Sequence, residues 1–441
     1  MTPGTHLRRS LGIAFGVAVA VGSMIGAGIL RSPADVATQL PVAGLFLVAW
    51  LVGGLYALLG ANSLAELGTM IPQSGGQYVF VRRALGPYAG FLVGWNDWIS
   101  TGASLAAIAL VEAEAIGAVF PALAGQTLLV AAVTLVIVTV ILWQGIRESD
   151  RTQRGTSLIK CVVLLALVAA CLVARARGIT SSGAGAMTPL VVPVGAALGI
   201  AFITALQGII YAYDGWMGIL YFSEEVQDSA RQIPRSLLFG VISVIVLYLL
   251  LNIAFIAVLP MPALASSPLA AASAASVVFG PRGGTLVQLL VAVALPSAIV
   301  ANALMGSRVG FALGRDRAAP AILSRVNAGG TPHASLLAGT AIAGLFLLTG
   351  AFERVIALCS FMFVAGYAMS FLSVFVLRYR EPETARPYRA WGHPWTTGVV
   401  LAGSIVFLLG SIVADKRTAL FALVLAAVSY PAYRLTVRRP A

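Results

Sequence analysis

The chain has 441 residues, of which 59% are hydrophobic and only 10% charged, whereas a soluble domain carries about 25% charged residues. This composition excludes an ordinary soluble protein and implies an integral membrane protein. A formal charge of +12 would suggest nucleic acid as a partner in a soluble chain; here the arginines read as topology signals, and no nucleic-acid partner is expected.

The predicted elements are all membrane helices. Each crossing needs about 20 apolar residues, and the short alternating tracts of a β-barrel are absent. Twelve spans are predicted, near 11–39, 42–69, 87–118, 125–144, 154–174, 195–223, 236–260, 284–313, 334–350, 354–378, 396–413 and 418–434. The first is too long for a signal peptide and is read as a retained helix. With the N-terminus in the cytoplasm, 20 of the 28 lysines and arginines fall inside and seven outside, while Lys160 lies within a span. Both termini are therefore expected to be cytoplasmic. The expected segments are a tail 1–10, a first repeat 11–176, a second repeat 195–378, two added helices in 396–434 and a tail 435–441. Gln73–Leu85 predicts a short amphipathic cytoplasmic helix, and Pro262–Val278 a lid-like helix on the outer face.

The first span contains VGSMIGAGI, three glycines and a serine at mid-depth. Each glycine costs roughly 1 kcal/mol against alanine inside a helix. The sixth span contains YAYDGWMG, with glycines again and now a carboxylate. Five spans precede the second break, so the second half runs in the opposite sense. Paired interruptions in two inverted halves point to a transporter binding site. Broken backbone survives in hydrocarbon only where it lines a protein or water cavity. Freed amides at the start of a half-helix suit a carboxylate, and freed carbonyls at the end of the preceding half suit an ammonium. A zwitterionic amino acid presents both. The candidate substrate contacts are Ser23, Met24, Gly26, Ala27 and Gly28 in the first break and Tyr211, Ala212, Asp214 and Trp216 in the second. The alternative for the glycines is close helix packing, which Gly22-xxx-Gly26 also fits. Asp214 is expected either to attract an amino group or to cap freed amides, and Tyr211 and Trp216 either to gate or to pack. Valine at Gly26 is expected to abolish binding.

Lys160 is the only lysine inside a span. It reads as a fixed cation holding the first break, as a titrating group that couples transport to protons, or as a snorkelling side chain. Ser297 and Asn302, beside Pro296, are weaker candidates for support or coupling. Glu112 and Glu114 lie late in the third span, while Asp97 and Glu66 read as solvated or paired groups near span ends. Cys161, Cys171 and Cys359 fall in apolar runs and imply no disulfide framework. No metal-ligand cluster, P-loop or nucleophile elbow occurs, so no cofactor and no enzymatic activity is expected.

GSMIGAGI resembles the first-helix motif of the amino acid–polyamine–organocation superfamily. AELGTMIPQSGGQYVFVRRALGPYAGFLVGW, from Ala65 to Trp95, is similar to the second-to-third helix signature of its L-type amino acid transporter branch. YAYDGWMGILYFSEEVQDSARQIPRSL, GSRVGFALGRDRAAP and REPETARPYRAWGHP fit the same branch. The resemblance covers about residues 10 to 435. It implies an all-α fold of five plus five inverted helices with two added, alternating access, and sodium-independent amino acid transport by exchange or proton symport. By position it places carboxylate contacts on Ala27 and Gly28, and amino-group contacts on carbonyls near Met24, Tyr211 and Ala212. Tyr211 matches an aromatic gate, and Lys160 the fifth-helix lysine that stands where sodium-coupled relatives bind their ion. Met217 departs from the polar residue common after the tryptophan. The Ala118–Thr127 loop lacks the cysteine that animal members use to link a heavy chain, so no such partner is expected. An amine or polyamine carrier and a non-transporting sensor are the alternatives. The composition looks bacterial, which implies the cytoplasmic membrane.

Overall fold

The computed structural model describes residues 11–144, 146–181, 190–348 and 352–437. The tail 1–10 and residues 438–441 lie outside them, as do the side chains of Arg147, Arg151 and Arg154. The first predicted span is two helices, α1 (Ile13–Met24) and α2 (Ala27–Gln39). They are followed by α3 (Ala43–Met70), α4 (Gln77–Leu85), α5 (Pro87–Val119), α6 (Thr127–Gln144) and α7 (Ile146–Ala176). Next come α8 (Ala196–Tyr213), α9 (Ser229–Val258), α10 (Met261–Ala265), α11 (Ala270–Phe279) and α12 (Pro281–Arg315). The chain ends with α13 (His333–Leu347), α14 (Phe352–Arg380), α15 (Trp395–Ala414) and α16 (Lys416–Val437). Among the described residues, eleven spans are long and apolar enough to cross a membrane, α1 and α2 counting as one. The ninth predicted span corresponds to α13, which has only 15 residues and so rises about 22 Å.

Helix order alternates between two ends of the bundle. The near end carries the start of α1, and the far end the finish of α2. Long polar stretches still extend helices here. α7 begins at Ile146 rather than at the predicted 154 because RESDRTQR continues the helix beyond the apolar run.

The predicted short helix is α4, amphipathic as expected: Tyr78, Val79, Phe80 and Val81 are buried while Arg82 and Arg83 are exposed. One surface expectation is corrected. The predicted lid at Pro262–Val278 is two helices, α10 and α11, whose Ala270, Ala271, Ala274 and Ala275 are inaccessible to solvent.

Ion pairs close the near end. Arg308 donates through Nε to Glu225 at 3.1 Å, with both side chains essentially inaccessible, and its guanidinium lies over the Phe222 ring. Arg315 reaches Glu224 at 2.5 Å, and Arg82 pairs with Asp316. Glu66, expected to be solvated or paired, is paired: Arg378 and Arg386 lie at 2.6 and 3.2 Å, and the Ala390 amide donates to it. Arg83 beside Glu381, in the loop after α14, holds that carboxyl below the usual carboxylate range. Leu11 is pinned by backbone bonds to Glu225 and Gln227. At the far end Arg31 pairs with Glu114 and Glu353. Both ends of the bundle are thus shut in this conformation.

Candidate functional site

Two interruptions meet at the centre of the bundle. α1 stops at Met24 and α2 restarts at Ala27, with extended Gly26 as the cap residue and no side-chain cap. α8 stops at Tyr213, and the chain resumes as a 3₁₀ turn at Gly218–Phe222. Gly215 has φ +96°, a conformation L side chains rarely adopt, and a Cβ there would lie 2.5 Å from Ser23 Oγ. The Ser23 hydroxyl lies 2.5 Å from the Val19 carbonyl and 3.1 Å from the Gly215 carbonyl, so it joins one break to the other.

The exposed backbone is satisfied from neighbouring helices. Lys160 of α7 donates to the Ile25 carbonyl at 2.9 Å and the Gly22 carbonyl at 3.3 Å. It is buried, so the snorkelling reading falls. Tyr248 of α9 has its Oη 2.5 Å from the Met24 carbonyl and 3.0 Å from the Ala212 carbonyl. Gly26 also donates to the Met24 carbonyl, at 2.8 Å. The Met24 and Ala212 carbonyls, expected near the amino group, are thus both in reach of the Tyr248 hydroxyl in this conformation.

Between the breaks lies a small cavity of about 10 Å³, room for roughly one water. Ser23, Met24, Gly26, Ala27 and Gly28 form one wall; Tyr211 and Asp214 form another; Ser104, Ile108 and Asn302 complete it. The first-turn amides of α2 have no helical partner, and the helix dipole adds positive character at this point. Asp214 places a carboxylate in the same cavity. It accepts from the Tyr367 hydroxyl. Tyr211 closes against α5, where the Ser104 hydroxyl donates to its Oη at 3.4 Å. An amide-lined pole and a carboxylate pole facing one cavity match the two charges of a small zwitterion.

A family model described as amino acid permease matches residues 16–431. The chain belongs to the amino acid permease family. It is an amino acid transporter and not an enzyme. The permease is 28% identical to the b(0,+)-type amino acid transporter 1 of Oryctolagus cuniculus, over 87% of this chain and 79% of the relative. It is 25% identical to the serine/threonine exchanger SteT of Bacillus subtilis over 98% of both chains. It is 27% identical to the large neutral amino acids transporter small subunit 2 of Homo sapiens, over 88% of this chain and 73% of the relative.

Besides Lys160, three named candidates do not line the permease's cavity. Ala212 lies behind Gly28, with its carbonyl on Tyr248. The Trp216 ring packs on Tyr367 at 5.3 Å and is buried, which favours packing over gating. The Ser297 hydroxyl bonds back to the Ala294 carbonyl at 2.7 Å within its own helix. Asn302 does line the cavity and also donates to the Ala298 carbonyl at 2.9 Å.

Sequence reasoning passed over Ser104, Ile108 and Tyr248. The signal for Tyr248 was available: it is a lone hydroxyl in the apolar run VIVLYLLL, and a buried Tyr O–H usually finds a partner. Tyr248→Phe deletes the side-chain link between the Met24 and Ala212 carbonyls. An unmade buried hydrogen bond costs about 1–3 kcal/mol, so exchange by this variant in proteoliposomes is expected to fall roughly tenfold or more. Flux equal to wild type would show that the link is dispensable.

Proposed function

We propose that this permease carries amino acids, independently of sodium, through the pocket between the two breaks. The α-carboxylate rests on the amides of Ala27 and Gly28, and the amino group faces Asp214, with Ser23, Met24 and Gly26 completing the backbone wall. Tyr211 closes the far side. Lys160 supplies a fixed cation to the break in place of a bound ion. The units that rock against each other are 11–176 and 195–378, with 396–434 added outside them.

The observation that carries this reading is the pairing, in one buried cavity, of uncapped α2 amides with the Asp214 carboxylate. The near end, rich in arginine, is the cytoplasmic one, and both termini lie there, in the cytoplasmic membrane of a bacterium. No cysteine occurs in 118–127, and the carrier is expected to work without a disulfide-linked heavy chain.

The names of the relatives, an exchanger among them, support exchange of amino acids. Counterflow in proteoliposomes with a panel of labelled amino acids, in sodium-free buffer, tests this. Saturable counterflow of at least one amino acid is the expected result. Counterflow of putrescine with no response to any amino acid would favour an amine carrier, which Asp214 alone would suit. No counterflow of either would leave a non-transporting sensor.

A further inference from the structure

Beneath the substrate pocket, toward the near end, lies a second small cavity. Asp214 and Asn302 bound both, so the two adjoin. The second is walled by α4, α5, α12, α14 and the turn after α8, and Asp97 of α5 faces it without lining the first. The expectation that Asp97 is a solvated or paired group near a span end is corrected here. It lies ten residues into α5, about 15 Å along the helix, and only 6% of it is exposed.

Its bonding is unusual for a structural carboxylate. Both oxygens lie 3.0 Å from a single hydroxyl, that of Tyr221, which has one proton to donate. Among the described residues no lysine, arginine or histidine pairs with Asp97 or Asp214; Arg308, the buried cation of α12, is held by Glu225 and Lys160 by the α1 carbonyls. The titratable groups around the cavity are Tyr221, Asp214, and Tyr367 and Cys359 of α14, all acids. α4 brings the neutral Gln77, and its Tyr78 is bonded to Asp316. A lone buried carboxylate without a cation tends to take a proton instead.

A polar file runs through the site. Ser370 donates to Gln77 at 3.2 Å, Gln77 bonds to Tyr221, and Tyr221 donates to Asp97. Across the cavity Asp214 accepts from Tyr367. Hydroxyls, an amide and carboxylates in sequence provide sites for a mobile proton, and the bulk of Met217, Met305 and Phe363 around them leaves little space for a substrate side chain.

We propose that Asp97 is the proton-carrying group of this permease. With the pocket open outward, a proton from external water binds a carboxylate oxygen of Asp97. With the pocket open inward, that O–H bond breaks and the proton passes to cytoplasmic water. One proton thus crosses with each amino acid, while amino acid present on both sides lets the loaded carrier exchange. This rests on amino acid transport through the adjoining pocket.

The test uses proteoliposomes with an interior-alkaline pH gradient, sodium-free buffer and a trapped pH dye. Wild type is expected to accumulate labelled amino acid and to acidify the interior. Asp97→Asn is expected to lose gradient-driven accumulation at least tenfold while counterflow persists, and Asp97→Glu to recover part of the accumulation. Should Asp97→Asn fail to fold, Tyr221→Phe, which removes the hydroxyl that donates to the carboxylate, is expected to shift the pH profile of accumulation. Three results would overturn the proposal: counterflow in wild type without gradient-driven accumulation, accumulation by Asp97→Asn equal to wild type, or an Asp97→Asn variant that loses only lysine and arginine while neutral substrates still accumulate. The last would make Asp97 a subsite for cationic side chains. Absence of any amino acid counterflow in wild type would instead remove the transport reading itself.

Discussion

Gly28→Ala is expected to reduce amino acid counterflow by roughly 10–100-fold, from an overpacking cost of about 1–3 kcal/mol, while the protein still inserts and remains monodisperse. A Cβ on Gly28 would lie 2.4 Å from Ala212 Cα, 2.8 Å from its Cβ and 3.0 Å from its amide nitrogen. These are mostly backbone atoms, so no rotamer change relieves the clash. α2 and α8 must separate where the amide pole is built. Gly26 is different. Its φ of −133° suits any residue, and a Cβ there meets only Ala298 Cβ at 3.6 Å among neighbouring side chains. Alanine at Gly26 should therefore cost less than alanine at Gly28. The strict steric demand sits two residues beyond the glycine that the sequence singles out. Equal losses at both positions, read by counterflow at matched protein density, would reject this account.

Lys160→Ala is expected to abolish measurable transport and to lower the melting temperature in detergent. The ammonium is the side-chain partner of the Gly22 and Ile25 carbonyls at the end of α1. Unpartnered backbone groups in hydrocarbon cost several kcal/mol each. Losing the ammonium strands both carbonyls, and the break is expected to refold toward continuous helix or fill with water. Lys160→Met keeps most of the apolar stem and so separates packing from charge. If the fixed-cation reading is right, methionine restores part of the melting temperature but none of the flux. Wild-type-like flux in either variant would reject a central role for the lysine.

The membrane spans were legible because the bilayer imposes length and polarity together, and few other structures need about 20 apolar residues in a row. Their ends were less so. RESDRTQR in α7 is polar yet helical, and hydropathy marks the membrane rather than the helix. The two breaks were legible because glycine and aspartate are costly at mid-depth. What each group in the breaks touches was not. The Met24 carbonyl meets Tyr248, which is 224 residues away in the chain, and Asp97 meets Tyr221 at a separation of 124. Such pairings depend on how helices are rotated about their axes, and a single sequence carries little record of that. Asp97 was misplaced for a simpler reason: with Pro87 at the first turn of α5, it is deep in the helix, whereas the hydropathy profile leaves it near an edge.

The two ends of the bundle are closed by ion pairs of unequal kind. At the near end Arg308 and Glu225 are out of reach of water, whereas at the far end Glu114 and Glu353 are 51% and 66% exposed beside Arg31. Mobile ions screen exposed pairs over about 8 Å at physiological ionic strength and affect buried ones much less. Ionic strength therefore acts more strongly on the far gate. Raising it loosens the far gate and the outer pairs of the near gate but leaves the buried Arg308–Glu225 pair in place, so concentrated electrolyte should drive the closed carrier toward its outward-open form. A cysteine placed at Ile108 would report this as faster labelling by an impermeant thiol reagent from outside, with sodium and potassium chloride equally effective.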